Sequence, residues 1–575
     1  MSAKMLIETF DRVIDAPGAS SQLRRFVLGM AVRGLLVEQD FGDGNASAIL
    51  EKATIPQLAR SRRATLSTEF PDLSESPYEL PDGWVWCRLN QVGLIIGGGT
   101  PPSGDAENFT AGGSGISWLT PADMASQTGL EVEHGVRDLT EKGLRSSSAT
   151  LMPQGTVLFT SRAPIGYVGV AAQDITTNQG FKSLVPSSAV DPRYAAIYFR
   201  AFAPAIDAAA PGTTFKEVSG KIVSKLLFPL PPLPEQRRII ARVEELMTLC
   251  DQLELAQKER EAQRDALRDA SLYRLTSAED AEGTAANVRF FLDKSPRLMT
   301  KVEHVAELRQ ATLVLAVRGR LVPQDQEEDP ALVTLERVYK QKLEEGLETG
   351  RDWVGSTKAP EDSQFSLPLG WAWSRIGTTV QRVTVGYVGP MTSQYAEHGV
   401  PFLRSQNVRA DRFRWEGLIS IRPEFHQTIL KSSLAPGDVV IVRSGNVGTA
   451  CVIPDQLPEA NCSDLVIAKN PMAVHPRFLS FYLNSLGSEH VEAGTVGMAL
   501  THFNTKSVAT MPIPLPPLAE QGRIVTKVDE MMAVCDELEA ALASAHEERV
   551  RLLVALLHDS LNGSEPRGSA LSADG

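Results

Sequence analysis

The residues of this chain that could do chemistry do not stand at the spacings that a catalytic site needs. Gly97–Pro101 is glycine-rich, but no Gly-Lys-Ser/Thr follows it, which excludes a phosphate-binding loop. The nine histidines are dispersed, and Cys451 and Cys462 have no His or Cys companion at zinc spacing. Asn470–Ala473 comes nearest to the Asn/Asp-Pro-Pro-aromatic loop of an amino-methyltransferase, but it lacks the second proline and the aromatic residue. We therefore predict no catalytic residue and no metal site in this chain.

Length and composition are those of a multidomain protein of ordinary globular type. A chain of 575 residues exceeds one core, so two to four domains are expected. No apolar run approaches the roughly 18 residues of a membrane helix, and Met1–Phe10 lacks the basic and apolar regions of a signal peptide. Five scattered cysteines are too few for a disulfide framework. These features predict a cytoplasmic protein without membrane contact.

The net charge of −13 is distributed unevenly along the chain. Leu80–Leu230 carries 11 basic and 12 acidic residues, and Leu367–Pro514 carries 12 and 10. The excess of acid therefore lies outside these two segments. Neither segment is as basic as a self-sufficient DNA-binding domain, so a DNA-binding role would need a partner protein.

The chain repeats itself at an almost constant offset. Pro229–Glu254 and Pro514–Glu539 match at 16 of 26 positions with an offset of 285 residues. Leu23–Asp40 and Leu308–Asp325 match at 11 of 18 positions with the same offset. A weaker pair, Leu80–Leu89 with Leu367–Ile376, is offset by 287. One fixed offset around divergent interiors indicates a duplicated module.

Each module has the same order of parts, which predicts an α+β fold. A helical stretch comes first, near Lys4–Val37 and Val302–Val322, followed by a polar connector and a Gly-Trp-x-Trp element. About 150 residues with short β-branched runs follow, such as Gly155–Phe159, Val168–Ala171 and Asp438–Arg443. The predicted segments are 1–79 (helical), 80–228 (mixed α/β domain), 229–289 (proline element and helix), 290–366 (helical), 367–513 (mixed α/β domain) and 514–575 (proline element and helix).

The proline element Pro-Leu-Pro-Pro-Leu opens a long helix in both copies. Pro234 suits the first helical turn, where its missing N–H costs nothing, and Glu235 suits the positive end of the helix dipole. Apolar residues then recur every three or four positions, which is the seam of a coiled coil. The seam residues are Ile239, Val243, Leu246, Cys250 and Leu253 in the first copy and Ile524, Val528, Met531, Cys535, Leu538, Leu542 and Ala545 in the second. The alternative is a helix packed on its own domain.

The twin proline elements, each closing a divergent domain, resemble the specificity subunit of type I restriction–modification enzymes. The resemblance covers nearly the whole chain and extends to the motifs Gly83-Trp84-x-Trp86 and Gly370-Trp371-x-Trp373, Gly98-Gly99-Thr100-Pro101, Ala31-Val32-Arg33-Gly34 with Gln39-Asp40, and Ala316-Val317-Arg318-Gly319 with Gln324-Asp325. One departure is that the second domain has Val385–Gly389 where the first has its Gly-Thr-Pro loop.

The resemblance implies a non-catalytic subunit that reads double-stranded DNA. Each mixed α/β domain would be a target recognition domain for one half of a split target. The long helices would form an antiparallel coiled coil that sets the gap. Two methyltransferase subunits and two restriction–translocation subunits would join the complex. The resemblance implies no cofactor in this chain, because S-adenosylmethionine, ATP and magnesium would be bound by those partners.

Side chains that could read base edges occur at comparable places in the two domains. Arg and Lys pair with guanine, whereas Asn and Gln pair with adenine. The candidates for DNA binding are Thr100, Ser161, Arg162, Asn178, Gln179 and Lys182 in the first domain, and Arg404, Gln406, Asn407, Arg443, Ser444 and Asn446 in the second. Ser161 and Ser444 align at an offset of 283, which favours that turn as a shared reading position. The alternative is that these polar residues cap turns.

Two other functions remain open at this point. One is a fused DNA methyltransferase–specificity enzyme, which the missing catalytic loop disfavours. The other is a coiled-coil scaffold without DNA contact, which two large divergent domains disfavour. The four tryptophans of the Gly-Trp-x-Trp elements are expected to pack the domain edge rather than stack on bases.

Overall fold

A computed structural model gives the architecture of two compact units. It describes residues 14–16, 18–56, 66–67, 71–72, 76–127, 129–211, 216–277, 281–347, 365–492 and 504–562. Unit 1 comprises residues 1–259 together with 546–575, and unit 2 comprises residues 260–545. The segment boundaries predicted from the repeated motifs stay a prediction, because the two units do not divide the chain at those boundaries.

Unit 1 contains the first mixed domain and the helix that precedes it. Its helices are α1 (Ala19–Val32), α2 (Ala46–Glu51), α3 (Leu89–Val92), α4 (Pro121–Ala125), α5 (Glu141–Arg145), α6 (Pro192–Ala209), α7 (Gly220–Ser224) and the first part of α8 (Leu233–Ser277). Its strands are β1 (Val85–Arg88), β2 (Gly93–Gly97), β3 (Phe109–Ala111), β4 (Trp118–Leu119), β5 (Glu131–Val132), β6 (Arg137–Leu139), β7 (Val157–Ser161), β8 (Ile165–Ala171), β9 (Thr176–Thr177), β10 (Lys182–Pro186) and β11 (Leu227–Leu230). The main sheet has the order β2-β10-β7-β8-β5.

Unit 2 repeats this plan with additional strands. Its helices are α9 (Ala281–Leu298), α10 (Glu303–Val317), α11 (Ala331–Glu344), α12 (Ile376–Thr379), α13 (Pro423–Thr428), α14 (Pro476–Glu492), α15 (Thr505–Thr510) and most of α16 (Leu518–Asn562). Its strands are β12 (Ala372–Arg375), β13 (Val380–Val385), β14 (Tyr395–Ala396), β15 (Val400–Leu403), β16 (Val408–Arg409), β17 (Arg412–Phe413), β18 (Ile419–Ile421), β19 (Ser433–Leu434), β20 (Val439–Val442), β21 (Ala450–Val452), β22 (Ala460–Cys462), β23 (Leu465–Pro471) and β24 (Pro512–Leu515). The sheet β13-β23-β20-β21 matches β2-β10-β7-β8 of unit 1.

The two ends of each mixed domain pair with one another. Strand β1 of the first Gly-Trp-x-Trp element runs antiparallel to β11 of the first proline element, with Trp86 opposite Pro229. Strand β12 pairs with β24 in the same way, with Trp373 opposite Pro514. We call the segment from β1 to β11 domain 1 and that from β12 to β24 domain 2. The repeated motifs therefore clasp each domain where its chain enters and leaves.

The start of each long helix belongs to the core of its own domain. Ile239 and Val243 are buried with Tyr194 and Phe228 of domain 1, and Ile524 and Val528 are buried in the domain 2 core. The first two seam positions therefore follow the alternative of a helix packed on its own domain. Farther along, Leu538 of α16 shares an apolar cluster with Leu272 and Leu275 of α8. The first seam positions therefore serve the core of their own domain, whereas Leu538 lies in a cluster that also contains side chains of α8.

Helices α1 and α10 pack along the long helices through equivalent ion pairs. Arg24 lies 2.6 Å from Asp251 and 2.8 Å from Glu254. Arg309, at the same offset of 285, lies 2.5 Å from Asp536 and 2.6 Å from Glu539. Each pair joins a short helix to the first half of a long one.

The arginine of the repeated Ala-Val-Arg-Gly motif caps a long helix. Arg33 donates to the carbonyl of Leu561 (3.0 Å), in the last turn of α16. Arg318 donates to the carbonyl of Thr276 (2.6 Å), in the last turn of α8. A cation at the carboxyl end of a helix satisfies unpaired carbonyls and complements the helix dipole. Unit 1 therefore begins one long helix and ends the other, and unit 2 does the reverse.

The predicted fold class is confirmed: the chain is α+β, with two repeated mixed domains and two long helices of 45 residues each. The β-branched runs form β7, β8 and β20 as expected. Over the described ranges, no helix is long and apolar enough to cross a membrane. No group of three His, Cys, Asp or Glu side chains in the same ranges could hold a metal ion.

Candidate nucleic-acid interface

Three loops of domain 1 meet at one edge of its main sheet. The end of β2 lies opposite the start of β10, with Gly97 paired to Lys182. The end of β7 reaches the same edge, because Thr160 bridges to Phe181. We call the residues at and beyond these strand ends the loop edge of domain 1. It brings together all six candidates predicted in this domain.

The Gly-Thr-Pro loop lies tightly against the segment before β10. The amide of Gly99 donates to the carbonyl of Thr177 (2.8 Å). A Cβ at Gly98 would lie 1.9 Å from the carbonyl oxygen of Asn178, so only glycine fits there. The hydroxyl of Thr100 then donates to Oε1 of Gln179. Thr100 and Gln179 are both exposed and form one polar surface.

The two cations of this loop edge share one carboxylate. Arg162 Nη1 and Lys182 Nζ each lie 3.6 Å from a carboxylate oxygen of Glu217. The Lys182 ammonium also donates to the carbonyl of Gln179 (3.2 Å). A phosphate or a guanine edge would have to compete with Glu217 for these cations. The sequence reasoning missed Glu217, which lies far from both cations along the chain.

Two of the candidates in domain 1 serve the local structure. Ser161 is fully buried, and its hydroxyl donates to the carbonyl of Gly180 (3.1 Å). The Oδ1 atom of Asn178 accepts from the amide of Gly180 (2.8 Å), which closes an Asx turn. Asn178 is partly exposed and keeps its amide group, whereas Ser161 has no surface to offer a ligand.

Domain 2 presents the same edge with different loops. The amide of Tyr387 donates to the carbonyl of Cys462 (2.8 Å), as Gly99 does to Thr177. Val385–Gly389 therefore replaces the Gly-Thr-Pro loop in position although not in sequence. At the end of β20, Asp464 accepts from Arg443 Nη1 and from the hydroxyl of Ser444, both at 3.2 Å. Asn446 is exposed beyond them.

The strand register shows that Arg443 of domain 2 corresponds to Arg162 of domain 1. The amides of Asn178 and Ser463 donate to equivalent carbonyls, those of Leu119 and Leu403, so these two residues correspond. Three residues later, Phe181 bridges to Thr160 and Val466 pairs with Ile441. Two residues beyond Thr160 and Ile441 stand Arg162 and Arg443. The alignment of Ser161 with Ser444 at an offset of 283 is therefore wrong by two residues.

The remaining candidates of domain 2 lie in the turn after β15. Asn407 is fully buried, and its amide donates to the carbonyls of Arg414 (3.0 Å) and Glu416 (3.3 Å). Gln406 and Arg404 donate to the carbonyl of Gly417, at 3.0 and 3.2 Å. All three side chains thus hold the segment 414–417 in place. Asn407 therefore fits the alternative that these polar residues cap turns.

The Gly-Trp-x-Trp elements hold the long helices against their own domains. Trp84 Nε1 donates to the carboxylate of Glu235 (2.9 Å), and Trp371 Nε1 donates to that of Glu520 (3.0 Å). Burial raises the pKa of both carboxyls. All four tryptophans of these elements are buried. The prediction that they pack the domain rather than stack on bases is confirmed.

Comparison with known proteins supports the assignment that the motifs suggest. Residues 81–263 and 390–545 match the family model described as "Type I restriction modification DNA specificity domain". The chain is 25% identical over 571 residues to the type I restriction enzyme EcoEI specificity subunit of Escherichia coli, covering 94% of each chain. It is 26% identical over 573 residues to the EcoAI specificity subunit of the same organism, again covering 94% of each.

The crystal structure of the HsdS subunit from Thermoanaerobacter tengcongensis matches 86% of this chain and 100% of its own length, with 21% identity and a TM-score of 0.41.

Proposed function

Because this chain belongs to the family of type I restriction–modification DNA specificity domains, it is a non-catalytic DNA-specificity subunit, and we propose that its two loop edges each read one half of a bipartite double-stranded target. The observation that carries this proposal is the equivalence of Arg162 and Arg443. They occupy one structural position between loops of different sequence. A shared arginine suits bidentate recognition of guanine, and divergent neighbours suit two different half-sites.

The proposed contact set follows from exposure at the two edges. In domain 1 it comprises Thr100, Arg162, Asn178, Gln179 and Lys182. In domain 2 it comprises Arg404, Gln406, Arg443, Ser444 and Asn446. Ser161 and Asn407 are buried and are assigned to positioning instead. In the absence of DNA, Glu217 and Asp464 hold the cations in place. On binding, the cations would leave these carboxylates and contact the DNA target.

The long helices and the partners complete the proposal. Helices α8 and α16 would act as an antiparallel spacer that sets the gap between half-sites, each spanning about 68 Å for 45 residues. Two methyltransferase subunits and two restriction–translocation subunits would assemble on this chain in the cytoplasm. S-adenosylmethionine, ATP and magnesium would be bound by those partners. The domains' weak basicity supports a DNA clamp completed by the methyltransferase subunits.

Methylome sequencing of cells that express this chain with its partner subunits tests the proposal. Arg162→Gln should relax or abolish methylation at one half-site, and Arg443→Gln at the other, because each lost pair to guanine costs about 1–3 kcal/mol of discrimination. Arg145→Gln, an exposed change on α5, serves as the control. Loss of both halves from either single variant would contradict independent reading.

A further inference from the structure

One tryptophan of the described residues is set apart by its exposure. Trp415 is 50% exposed, whereas Trp84, Trp86, Trp118, Trp371 and Trp373 are at most 8% exposed. Tryptophan is enriched at binding interfaces, because its indole offers a large apolar face together with one N–H donor. The sequence reasoning did not single this residue out.

Trp415 is held in a fixed position rather than left on a free loop. Its ring meets that of Phe413 edge to face, with centroids 4.7 Å apart. Phe413 lies in β17, pairs with Val408 of β16 and packs on the buried cluster around Leu403. The backbone on both sides of Trp415 is fastened by Asn407, through the carbonyls of Arg414 and Glu416. The indole is therefore preorganised on a rigid hairpin.

The surroundings of this indole are basic. Residues 404–417 contain four arginines and two acidic residues, in a chain whose net charge is −13. Of the acids, Asp411 is partly buried and paired with Arg477. Arg409 is exposed, and among the described carboxylates none forms an ion pair with it. Arg414 is paired with the exposed Glu416, and Arg412 is paired with the exposed Asp536 of α16.

The hairpin also adjoins the loop edge of domain 2. Arg404 and Gln406, both in the proposed contact set, donate to the carbonyl of Gly417. The amide of Ser463 donates to the carbonyl of Leu403, which places the turn beside Asp464 and Arg443. Domain 1 has the short helix α4 after its corresponding strand β4, with no tryptophan. A feature that only one domain carries suits target recognition better than docking of a subunit that both domains would share.

We propose that Trp415 is a DNA-contacting residue of domain 2, whose indole packs against base or sugar in the groove while Arg409 and Arg414 bind the flanking phosphates. This inference rests on the proposed function and adds an apolar contact to it. In this view the buried Asn407 acts as a positioning residue that holds the segment 414–417. An aromatic face and flanking guanidinium groups together match the chemistry of DNA, where apolar base edges and sugars lie between charged phosphates.

The test uses the complex of this chain with its methyltransferase partner and fluorescent duplexes that carry the target. Affinity is measured by competition against duplexes in which either half-site is scrambled. We expect Trp415→Ala to weaken target binding at least tenfold and to reduce discrimination against the scrambled domain 2 half alone. Trp415→Phe should retain most of the affinity. Leu430→Ala, at another exposed apolar residue of domain 2, should change nothing.

A salt titration gives an independent readout on a surface residue. Arg409→Gln should lower the slope of log affinity against log salt concentration by about 0.9, because one phosphate contact is lost. An unchanged slope together with unchanged affinity in Trp415→Ala would overturn the inference. So would loss of methyltransferase assembly in Trp415→Ala, since the surface would then bind protein. Failure of the proposed function would show differently, as half-site discrimination that ignores Arg162 and Arg443.

Discussion

Lys342 is a buried cation that donates a hydrogen bond to a carbonyl group. Its side chain lies under α12, where Nζ donates to the carbonyl of Gly377 (2.8 Å). Burial lowers the pKa of this ammonium to about 8, from an ordinary value of 10.5. The unfolded chain therefore binds a proton between pH 8 and 10.5 that the folded chain has lost. Unfolding free energy rises with pH across this window, because the unfolded state carries the extra proton.

Lys342→Met should remove this dependence on pH. At pH 7 the variant should equal or exceed the wild type in stability, because it no longer buries a charge. The wild type should then gain relative to the variant by up to about 3 kcal/mol from pH 8 to 10.5. Urea denaturation of both proteins at several pH values measures the difference. A difference that stays constant with pH would show that Lys342 titrates normally.

The indole of Trp371 contributes a hydrogen bond that its neighbour Trp373 does not. Trp371 Nε1 donates to the buried Glu520, whereas Trp373 Nε1 is buried with no partner among the described residues. Trp371→Phe should therefore cost about 1–3 kcal/mol more than Trp373→Phe, because it leaves a buried carboxylate oxygen unpaired. Chemical denaturation of both variants gives the comparison. Equal losses would assign the effect to ring packing alone.

At the scale of elements, the glycine of Ala-Val-Arg-Gly turns the chain after α1 and α10. Gly34 has a φ of +71°, and a Cβ there would lie 2.4 Å from the ring of Pro81. Gly319 is equivalent, with a φ of +67° and Pro368 at 2.5 Å. This turn brings the end of the helix into close contact with the start of the Gly-Trp-x-Trp element. Only glycine fits there, because any side chain would clash with the proline and tryptophan.

Gly34→Ala combines backbone strain with a steric clash, whereas Gly18→Ala introduces the backbone strain alone. Gly18 has a φ of +72° with nothing within 4 Å of the added Cβ. The left-handed conformation should lower the stability of both variants. The stability of Gly34→Ala should fall by a further 1–3 kcal/mol, roughly, because the added methyl group overpacks the site. Thermal unfolding in parallel measures this. Similar losses would mean that Pro81 moves aside freely.

Local signals predicted the elements better than they predicted their partners. The proline element indicated a helix starting near Pro234, and α8 begins at Leu233, because the first turn depends on neighbouring residues alone. The repeat predicted two equivalent domains for the same reason. Pairing of Trp86 with Pro229 and of Arg162 with Glu217 joins distant residues. Such contacts follow from the folded topology, so the exact reading position could not be derived from spacing.

At the scale of the whole molecule, the positions at which the long helices pass between the units decide where the spacer can be lengthened. An insertion after Leu253 would fall where Arg24 holds Glu254 and where Gln257 donates to the carbonyl of Ile14 (2.6 Å). Both long helices instead pass from one unit to the other at 259/260 and 545/546. Because both cross this boundary, both must be lengthened together.

A heptad added after Glu259 and another after Ala545 should lengthen the gap between unchanged half-sites. Seven residues add about 10 Å, or about 3 base pairs, and DNA is too stiff to absorb that freely. Methylome sequencing gives the half-sites and the gap directly. A heptad in one helix only should impair assembly instead. Unchanged spacing in an active double variant would show that these helices do not set the gap.

The capping of α16 by Arg33 also bears on how the chain is made. Unit 2 is one continuous stretch, residues 260–545, whereas unit 1 needs residues beyond 545. Leu553, Leu556 and Leu557 cover the apolar face that Ala16 and Ala19 present. During synthesis on the ribosome, this apolar face therefore stays exposed until all of unit 2 has been translated. The unit that is translated first is thus completed last, and a nascent chain depends on its late residues to cover the apolar face of its first helix.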